Sequence, residues 1–269
     1  MSEKKSNVEM TFWDHLEELR WVFIRSLLAV IAVGIVAFLN KNIVFNYVFL
    51  APKEPWFITN RLLCQLAETL HTSALCLNQE GLQIINIKLA GQFTTHLYIS
   101  FAVGIFIAAP YIIFEFWNFI RPALYSKEKK HSRGAVFVCS ILFITGVLFA
   151  YFLIVPLTIN FLGTYQVSEQ VQNTISLSSY LHNVVSVSLS LGIVFEIPVL
   201  VYFLTKTGVL TPAFMKKSRK IIAVILLIIS AIITPPDVIS QIMVCIPLFF
   251  LFEISIKISE RVYKKTYPE

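Results

Sequence analysis

The chain has 269 residues, of which 57% are hydrophobic and 14% are charged, and its mean hydropathy is +0.73. Soluble domains carry about 25% charged residues, so the composition excludes an ordinary soluble protein and indicates long segments buried in a bilayer. The net charge of +6 comes from basic residues spread over several segments, which argues against a nucleic-acid partner.

The first predicted element is a helix that begins at Thr11. Thr11 can cap the helix N-terminus, and acidic residues from Asp14 onward lie near the positive end of the helix dipole. Apolar residues recur every three or four positions from Phe12 to Phe23, which gives the helix one apolar face. We predict an amphipathic helix at the cytoplasmic surface that runs into the first span, with a solvated polar lead-in as the alternative. The apolar stretch that follows is too long for a cleavable signal peptide.

Six apolar stretches predict membrane-spanning helices. The first four each reach the ~18 residues that a spanning helix needs. The last apolar region is interrupted by Thr234-Pro235-Pro236-Asp237, and two consecutive prolines end a helix because both lack an N–H and each ring clashes with the preceding residue. The sequence therefore predicts an all-α integral membrane protein with six transmembrane helices in a single domain, residues 1–269. The predicted spans are 22–39, 97–120, 134–159, 184–205, 221–233 and 238–256.

The fifth span is unusually short. At a rise of ~1.5 Å per residue it covers only ~20 Å of a hydrocarbon core that is ~30 Å thick. Basic residues from Lys216 to Lys220 hold one end of it and Asp237 holds the other. We predict that spans five and six are short and that the bilayer thins around them. Extension by flanking residues and a re-entrant hairpin stay open as alternatives.

The basic residues set the orientation. All but four of the 22 lysines and arginines lie in the N-terminal tail, in the connections after spans two and four, and in the C-terminal tail. The exceptions are Lys41, Lys53, Arg61 and Lys88, which share the long loop between the first two spans. The positive-inside rule therefore places both termini in the cytoplasm and that loop outside.

The outer loop, 40–95, is the largest segment outside the predicted spans. Leu62, Leu66 and Leu70 share one helical face, which predicts a small helical cap that is too short to be a catalytic domain. Cys64 and Cys76 lie in this loop on the oxidising side of the membrane, and whether they pair stays open.

The sequence contains none of the common catalytic motifs. It has no HExxH or other His/Cys cluster with metal-ligand spacing, no G-x-x-x-x-G-K-[ST] phosphate loop and no G-x-S-x-G nucleophile elbow. We therefore expect no enzymatic activity, no cofactor and no metal. An intramembrane enzyme would need a buried nucleophile and base at matching depth, and the sequence offers no such set.

One carboxylate lies inside a predicted span. Glu196 is near the middle of span four, where a charged group costs roughly 3 kcal/mol, so its carboxyl is either protonated or faces a water-filled concavity. Pro198 has no N–H, so the carbonyl of Val194 lacks its usual helical donor at the same depth. A proton-coupled secondary transporter with Glu196 as proton carrier is one interpretation, but such transporters are built from repeated halves, which this sequence lacks.

Four motifs point to a family. They are HLEELR at 15–20, FIRPALYSKE at 119–128, FEIP at 195–198 and TPPDVISQ at 234–241. In this order and on these sides of the membrane, they resemble the motifs of the TatC family, the multispanning subunit of the twin-arginine (Sec-independent) protein translocase. The resemblance covers the chain from about residue 11 to residue 258.

The resemblance implies a receptor for folded cargo whose signal peptide carries paired arginines. Guanidinium groups need carboxylates in fork geometry, and the basic cytoplasmic face does not attract a cationic peptide by its general field. A solvated Glu128 that offsets neighbouring lysines, and a Glu17–Arg20 ion pair, are the plainer alternatives. The residues implied for signal-peptide binding are Glu17, Glu18, Leu19, Arg20, Phe119, Pro122, Leu124, Tyr125 and Glu128.

The resemblance also implies partners inside the membrane. Glu196 and Pro198 are expected to form a polar contact with single-span subunits of the TatA/TatB type, and Gln241 follows the structural break formed by Pro235, Pro236 and Asp237. A multi-pass protein of the bacterial inner membrane is implied, within a larger complex that contains more than one copy of the chain. Protein export would be driven by the proton motive force.

Overall fold

The computed structural model describes residues 12–69, 76, 82–120, 132–168, 170, 173–234 and 238–266. This part of the chain is largely helical, with two short strands. The α-helices are α1 (Phe12–Leu39), α2 (Ile58–Thr69), α3 (Gly91–Ile120), α4 (Ser132–Phe149), α5 (Val155–Thr164), α6 (Leu177–Val194), α7 (Ile197–Lys206), α8 (Pro212–Lys217), α9 (Arg219–Ile233) and α10 (Val238–Thr266). The strands are β1 (Ile84–Ile85) and β2 (Ile175–Ser176).

Five helical segments of the described chain are long and apolar enough to cross a membrane, which confirms the predicted class of all-α membrane protein. They are Trp13–Leu39, Gly91–Ile120, Gly134–Thr164, Leu177–Lys206 and Ser240–Thr266, and they contain the predicted spans one, two, three, four and six in nearly full length. The predicted fifth span corresponds to α9, which has only 15 residues. The six-span count therefore depends on α9 and stays a prediction.

The first span begins at the HLEELR motif, as predicted. The HLEELR stretch lies inside α1, which continues from Phe12 to Leu39 as one helix of 28 residues. The lead-in is therefore part of the spanning helix itself. Thr11, the predicted cap, lies outside the described residues.

Two spans consist of joined helices. α4 continues through a π-helical turn, Ala150–Ile154, into α5, where Pro156 follows directly. Since proline has no N–H to donate, the wider turn changes the hydrogen-bond pattern before it. α6 and α7 are separated by Phe195 and Glu196, and Pro198 stands in the first turn of α7.

The break before the last helix is confirmed, because α9 ends at Ile233 and α10 begins at Val238. Pro235, Pro236 and Asp237 themselves lie outside the described residues. The prediction of a short sixth helix is wrong: α10 has 29 residues. No proline or glycine occurs between Leu248 and Thr266 to stop it. Contacts with neighbouring helices stabilise the last turns of α10. One of them is an ion pair with α8, in which Lys216 Nζ lies 2.5 Å from Glu260 Oε1.

Close helix packing holds the bundle together. α1 packs along α3, α4 along α6, and α7 along α10. At the first of these interfaces a Cβ on Gly104 would lie 2.4 Å from the carbonyl oxygen of Val30, so only glycine permits this approach. Lipid tails are as apolar as the helices, so helices in a bilayer gain no hydrophobic free energy by associating. Close packing of this kind therefore has to supply the attraction.

The outer loop contains the helix that the leucine spacing predicts, although the described helix α2 ends at Thr69. The Asn60 amide donates to the carbonyl oxygens of Pro52 at 3.0 Å and Glu54 at 2.8 Å, and the Thr59 hydroxyl donates to the carbonyl oxygen of Phe152 in the third span. The structure pairs Cys64 with Cys76 in a disulfide, a question the sequence left open. β1 pairs in parallel with β2, which the sequence did not predict.

Candidate functional site

The first candidate site lies where α1 begins and α3 ends. The two helices are antiparallel, because the His15 ring stacks on Phe119 at a centroid distance of 4.2 Å and, at the opposite end, Phe38 stacks on His96 at 4.0 Å. The fold thus brings HLEELR and the start of the FIRPALYSKE motif together, although 98 residues lie between them in sequence. This end carries the aromatic and acidic groups that recognition of a cationic peptide requires.

Glu18 is the carboxylate placed best for binding at this end. Its Oε2 atom is buried and has no hydrogen-bond partner in the described part of the chain. A buried carboxylate oxygen without a donor is unfavourable, so such a position favours a cationic ligand. Its neighbour Glu17 is exposed, and so is Arg20, and the described residues contain no ion pair between the two. Leu19 is half-buried.

The remaining predicted binding residues belong to the connection after α3. α3 ends at Ile120, directly after Phe119. Pro122, Leu124, Tyr125 and Glu128 lie outside the described residues.

A third carboxylate at this end was not predicted to take part. Glu115 in α3 is only 5% exposed, and its Oε2 lies 3.5 Å from Nη1 of Arg25 in α1. Tyr111 lies one turn before Glu115 on the same helix. The sequence shows both charges near the ends of predicted spans, but their pairing depends on how two separate helices pack. A charged pair at equal depth in neighbouring spans is the signal that could have indicated it.

The second candidate site lies at the break between α6 and α7. Pro198 cannot donate to the carbonyl oxygen of Val194, so the helix ends and a tight turn follows in which the Glu196 N–H donates to the carbonyl oxygen of Ile193 at 3.1 Å. α7 then starts with the Leu200 N–H donating to the carbonyl oxygen of Glu196, also at 3.1 Å. The break therefore fixes the acidic residue at a defined point of the span.

Helix α4 covers this break closely. A Cβ on Gly146 would lie 2.7 Å from the carbonyl oxygen of Leu191 and 2.8 Å from the Phe195 ring, so glycine is what lets α4 approach. Cys139, two turns before Gly146 on the same helix, lies close to the Glu196 carboxyl. The buried Cys139 is thus a neighbour of the polar site.

The Glu196 carboxyl is incompletely paired. Its Oε1 atom is buried and has no hydrogen-bond partner within the described ranges. Beside it, Pro198 lines an apolar groove of about 380 Å³ between α4, α7 and α10. The groove also contacts Leu142, Tyr202 and Ile254. An acid with a free oxygen beside an apolar groove is suited to meet a polar side chain carried by another membrane helix.

The last predicted site residue bridges two helices. The Gln241 amide in α10 donates to the carbonyl oxygen of Leu227 in α9 at 3.3 Å. Close to it, the Thr158 hydroxyl donates to Ser240 Oγ at 3.2 Å, which ties α10 to the third span. Gln241 therefore holds α9 against α10 just after the proline break, which fits a structural role. Among the residues that the structure describes, no group of three or more His, Cys, Asp or Glu could hold a metal ion.

Fold and sites together define a multispanning helical membrane protein. One polar site lies where α1 begins and α3 ends, and another lies at the break between α6 and α7. Comparison with known proteins identifies the family. The family model of the Sec-independent protein translocase protein (TatC) matches residues 14–247. The chain therefore belongs to the TatC family.

Individual relatives agree with this assignment. The TatC protein of Blattabacterium sp. subsp. Periplaneta americana is 41% identical over 264 residues, which cover 97% of this chain and 99% of the relative. The TatCy protein of Bacillus subtilis is 31% identical, with coverage of 98% and 94%. A crystal structure of the twin arginine translocase receptor TatC matches with a TM-score of 0.67 and 32% identity, over 92% of this chain and 99% of that one.

Family membership confirms the resemblance seen in the motifs and places the chain in protein transport by the Tat pathway, as a membrane subunit of the translocase. The relatives are named as translocase components and not as enzymes, so the expectation of a non-enzymatic protein is confirmed.

Proposed function

We propose that this chain is the core receptor subunit of a twin-arginine translocase, which binds the signal peptides of folded proteins and assembles with single-span TatA/TatB-type subunits for export driven by the proton motive force. A feature shared by two predicted residues supports this function: Glu18 and Glu196 each keep one buried carboxylate oxygen without a partner in the described chain. Membership of the TatC family favours this function over a proton-coupled secondary transporter.

The signal peptide would bind at the cytoplasmic end of α1 and α3. Glu18 offers a partly desolvated acceptor for a guanidinium group, Glu17 is its exposed neighbour, and Glu128 would add a further carboxylate. Phe119, already stacked with His15, would give the peptide a flat apolar contact, and Pro122, Leu124 and Tyr125 would extend it. Hydrogen bonds between a guanidinium and a carboxylate are about twice as strong as neutral ones, so a few acids can outweigh the basic surroundings.

Partner subunits would bind at the second site. A single spanning helix that lies in the groove next to Pro198 could direct a polar side chain at Glu196, whose free oxygen would then be satisfied. In hydrocarbon such a contact replaces an unpaired polar atom, which is why interhelical hydrogen bonds stabilise membrane assemblies.

The proposed arrangement in the membrane has six spans in one domain, with both termini in the cytoplasm of a bacterial cell and a small outer cap that includes α2. α9 would be the short fifth span, and the surrounding bilayer would thin to match it. Several copies of the chain would assemble within the complex.

Binding of a synthetic signal peptide tests the receptor function. Membranes that contain the full chain are incubated with a photo-crosslinkable peptide carrying paired arginines, and with the same peptide carrying paired lysines. We expect strong crosslinking of the arginine peptide only, because two guanidinium forks match the carboxylates and ammonium groups do not. Equal crosslinking of both peptides would refute the receptor function. Glu68→Gln, which alters an exposed acid on α2, is the control variant and should leave crosslinking unchanged.

A further inference from the structure

Glu18 belongs to a stripe of α1 residues that faces α3. His15, Glu18, Val22 and Arg25 follow one another at spacings of three, four and three, so they lie on one side of the helix. Val22 is only 2% exposed, which shows that this side is the packed one. Glu18 therefore points toward α3 because of its place in the stripe, whereas Glu17 is exposed.

The opposing stripe of α3 consists of Tyr111, Glu115 and Phe119, which are four residues apart. The two stripes touch at two places. Where α1 begins and α3 ends, His15 stacks on Phe119. About 6 Å from Phe119 along α3, at ~1.5 Å per residue, Glu115 meets Arg25 of α1.

The deeper contact is the polar one, and it is well connected. Arg25 Nε donates to the carbonyl oxygen of Trp21 in its own helix at 3.3 Å, while Nη1 lies 3.5 Å from Glu115. Tyr111 stands one helical turn before Glu115 on α3. Because Glu115 is nearly fully buried, it holds its counter-charge at one place, and a rotation or slip of α1 would separate the two.

We propose that Arg25 and Glu115 are positioning residues of the signal-peptide site: their ion pair sets the rotation and register of α1 on α3 so that Glu18 is held beside Phe119. Neither residue touches the peptide. This role rests on the proposed receptor function. An aromatic stack alone is a weaker restraint on register, since ring planes slide over each other, whereas an ion pair anchored by the buried Glu115 carboxylate has few favourable arrangements.

The affinity of a fluorescent paired-arginine peptide for membranes containing the full chain and its partner subunits tests this role. Glu115→Gln keeps the shape of the side chain and removes its charge, and we expect it to weaken peptide binding roughly tenfold, a usual size for coupling between linked sites. Arg25→Lys keeps a positive charge opposite Glu115. The exchanged pair Arg25→Glu/Glu115→Arg keeps opposite charges on the two helices with their positions reversed. Both should bind within about threefold of the unaltered chain, since each retains opposite charges across the interface.

The control breaks another ion pair between helices. Glu253→Gln removes the partner of Arg219, 2.8 Å away across α9 and α10, and should leave peptide affinity unchanged. Co-purification of the single-span partners is the second readout, and Glu115→Gln should not change it, because Glu196 lies in other helices. A general loss of folded protein would lower both the peptide affinity and the partner co-purification.

The outcomes separate this role from the receptor function itself. If the unaltered chain does not prefer paired arginines over paired lysines, the receptor function fails. If it does, and Glu115→Gln binds as tightly as the unaltered chain, the positioning role is overturned. It is also overturned if peptide binding and partner co-purification fall together in Glu115→Gln, or if Arg25→Lys binds as poorly as Glu115→Gln.

Discussion

The two candidate sites solve the same problem, a carboxylate in or near a membrane, in different ways. Where α1 begins and α3 ends, Glu18 lies on the helix face that also carries His15, which stacks on Phe119, and Arg25, which pairs with Glu115. Within the bundle, the Glu196 carboxyl lies near the thiol of Cys139 and beside the apolar groove that Pro198 lines. The first environment suits a charged ligand that arrives from water, and the second suits a polar group that arrives sideways through the bilayer. The difference suggests a division of labour along one molecule.

Loss of the Glu18 carboxylate should have the largest effect. We expect Glu18→Gln to weaken binding of a paired-arginine peptide by roughly 2–5 kcal/mol, the usual loss when one partner of a buried charged hydrogen bond is removed. Titration of the labelled peptide into membranes measures it. Glu17→Gln is the matched control, because the neighbouring acid is exposed and should contribute less than about 1 kcal/mol. An equal loss in both variants would contradict the importance given to burial.

Glu196 should matter for partners and not for the peptide. We expect Glu196→Gln to weaken association with single-span subunits by roughly 1–2 kcal/mol, since it removes the charge but keeps one hydrogen-bonding oxygen. Quantitative co-purification from membranes measures this. Thr145→Val is the control. It removes a hydroxyl of α4 that donates to the carbonyl oxygen of Ile141 in the same helix, at 2.7 Å, and it should have no effect on co-purification. Unchanged co-purification in Glu196→Gln would count against the docking role.

The close approach of α4 sets the geometry of the second site. Gly146→Ala places a methyl group where backbone and ring atoms already stand within 3 Å, so we expect a destabilisation of roughly 1–3 kcal/mol and a lower Tm of the purified protein. Gly134→Ala is the matched control on the same helix, because a Cβ there meets nothing within 4 Å. Equal Tm values in both variants would show that α4 does not pack on α6 in this way.

The smallest expected effect concerns the join between α7 and α10. Thr205 Oγ1 and Ser259 Oγ lie 2.8 Å apart and both residues are fully buried. Thr205→Val should cost about 0.6 kcal/mol, the average for a hydrogen bond between membrane helices, and should lower the Tm slightly. Thr207→Val, an exposed change one half-turn further, should leave the Tm unaltered. A larger loss in the exposed variant would contradict the described packing.

The sequence predicts those features of the fold that depend on local chemistry. Span positions follow from apolar length, and the break between Ile233 and Val238 follows from two prolines that cannot donate a backbone hydrogen bond. The same reasoning identifies the Val194 carbonyl that lacks its helical donor and places Glu196 inside a span, although it does not predict that the helix breaks there. Each of these predictions needs only a few neighbouring residues.

The features that the sequence does not predict depend on residues far apart in the chain. The length of α10 is set partly by Lys216 and Thr205, which hold Glu260 and Ser259 from other helices. The pairing of β1 with β2 and the ion pair between Arg25 and Glu115 arise only when separate spans pack. Propensity and hydropathy carry no information on such pairings, because each partner alone is unremarkable in its own segment.

The division of labour between the two sites is tested most directly by measuring both activities in the same membranes. Peptide crosslinking and partner co-purification are determined side by side for Glu18→Gln and Glu196→Gln. We predict a crossed result: Glu18→Gln loses crosslinking and keeps its partners, while Glu196→Gln keeps crosslinking and loses them. A fall of both activities in either variant would contradict the account, because it would mean that one site serves both functions.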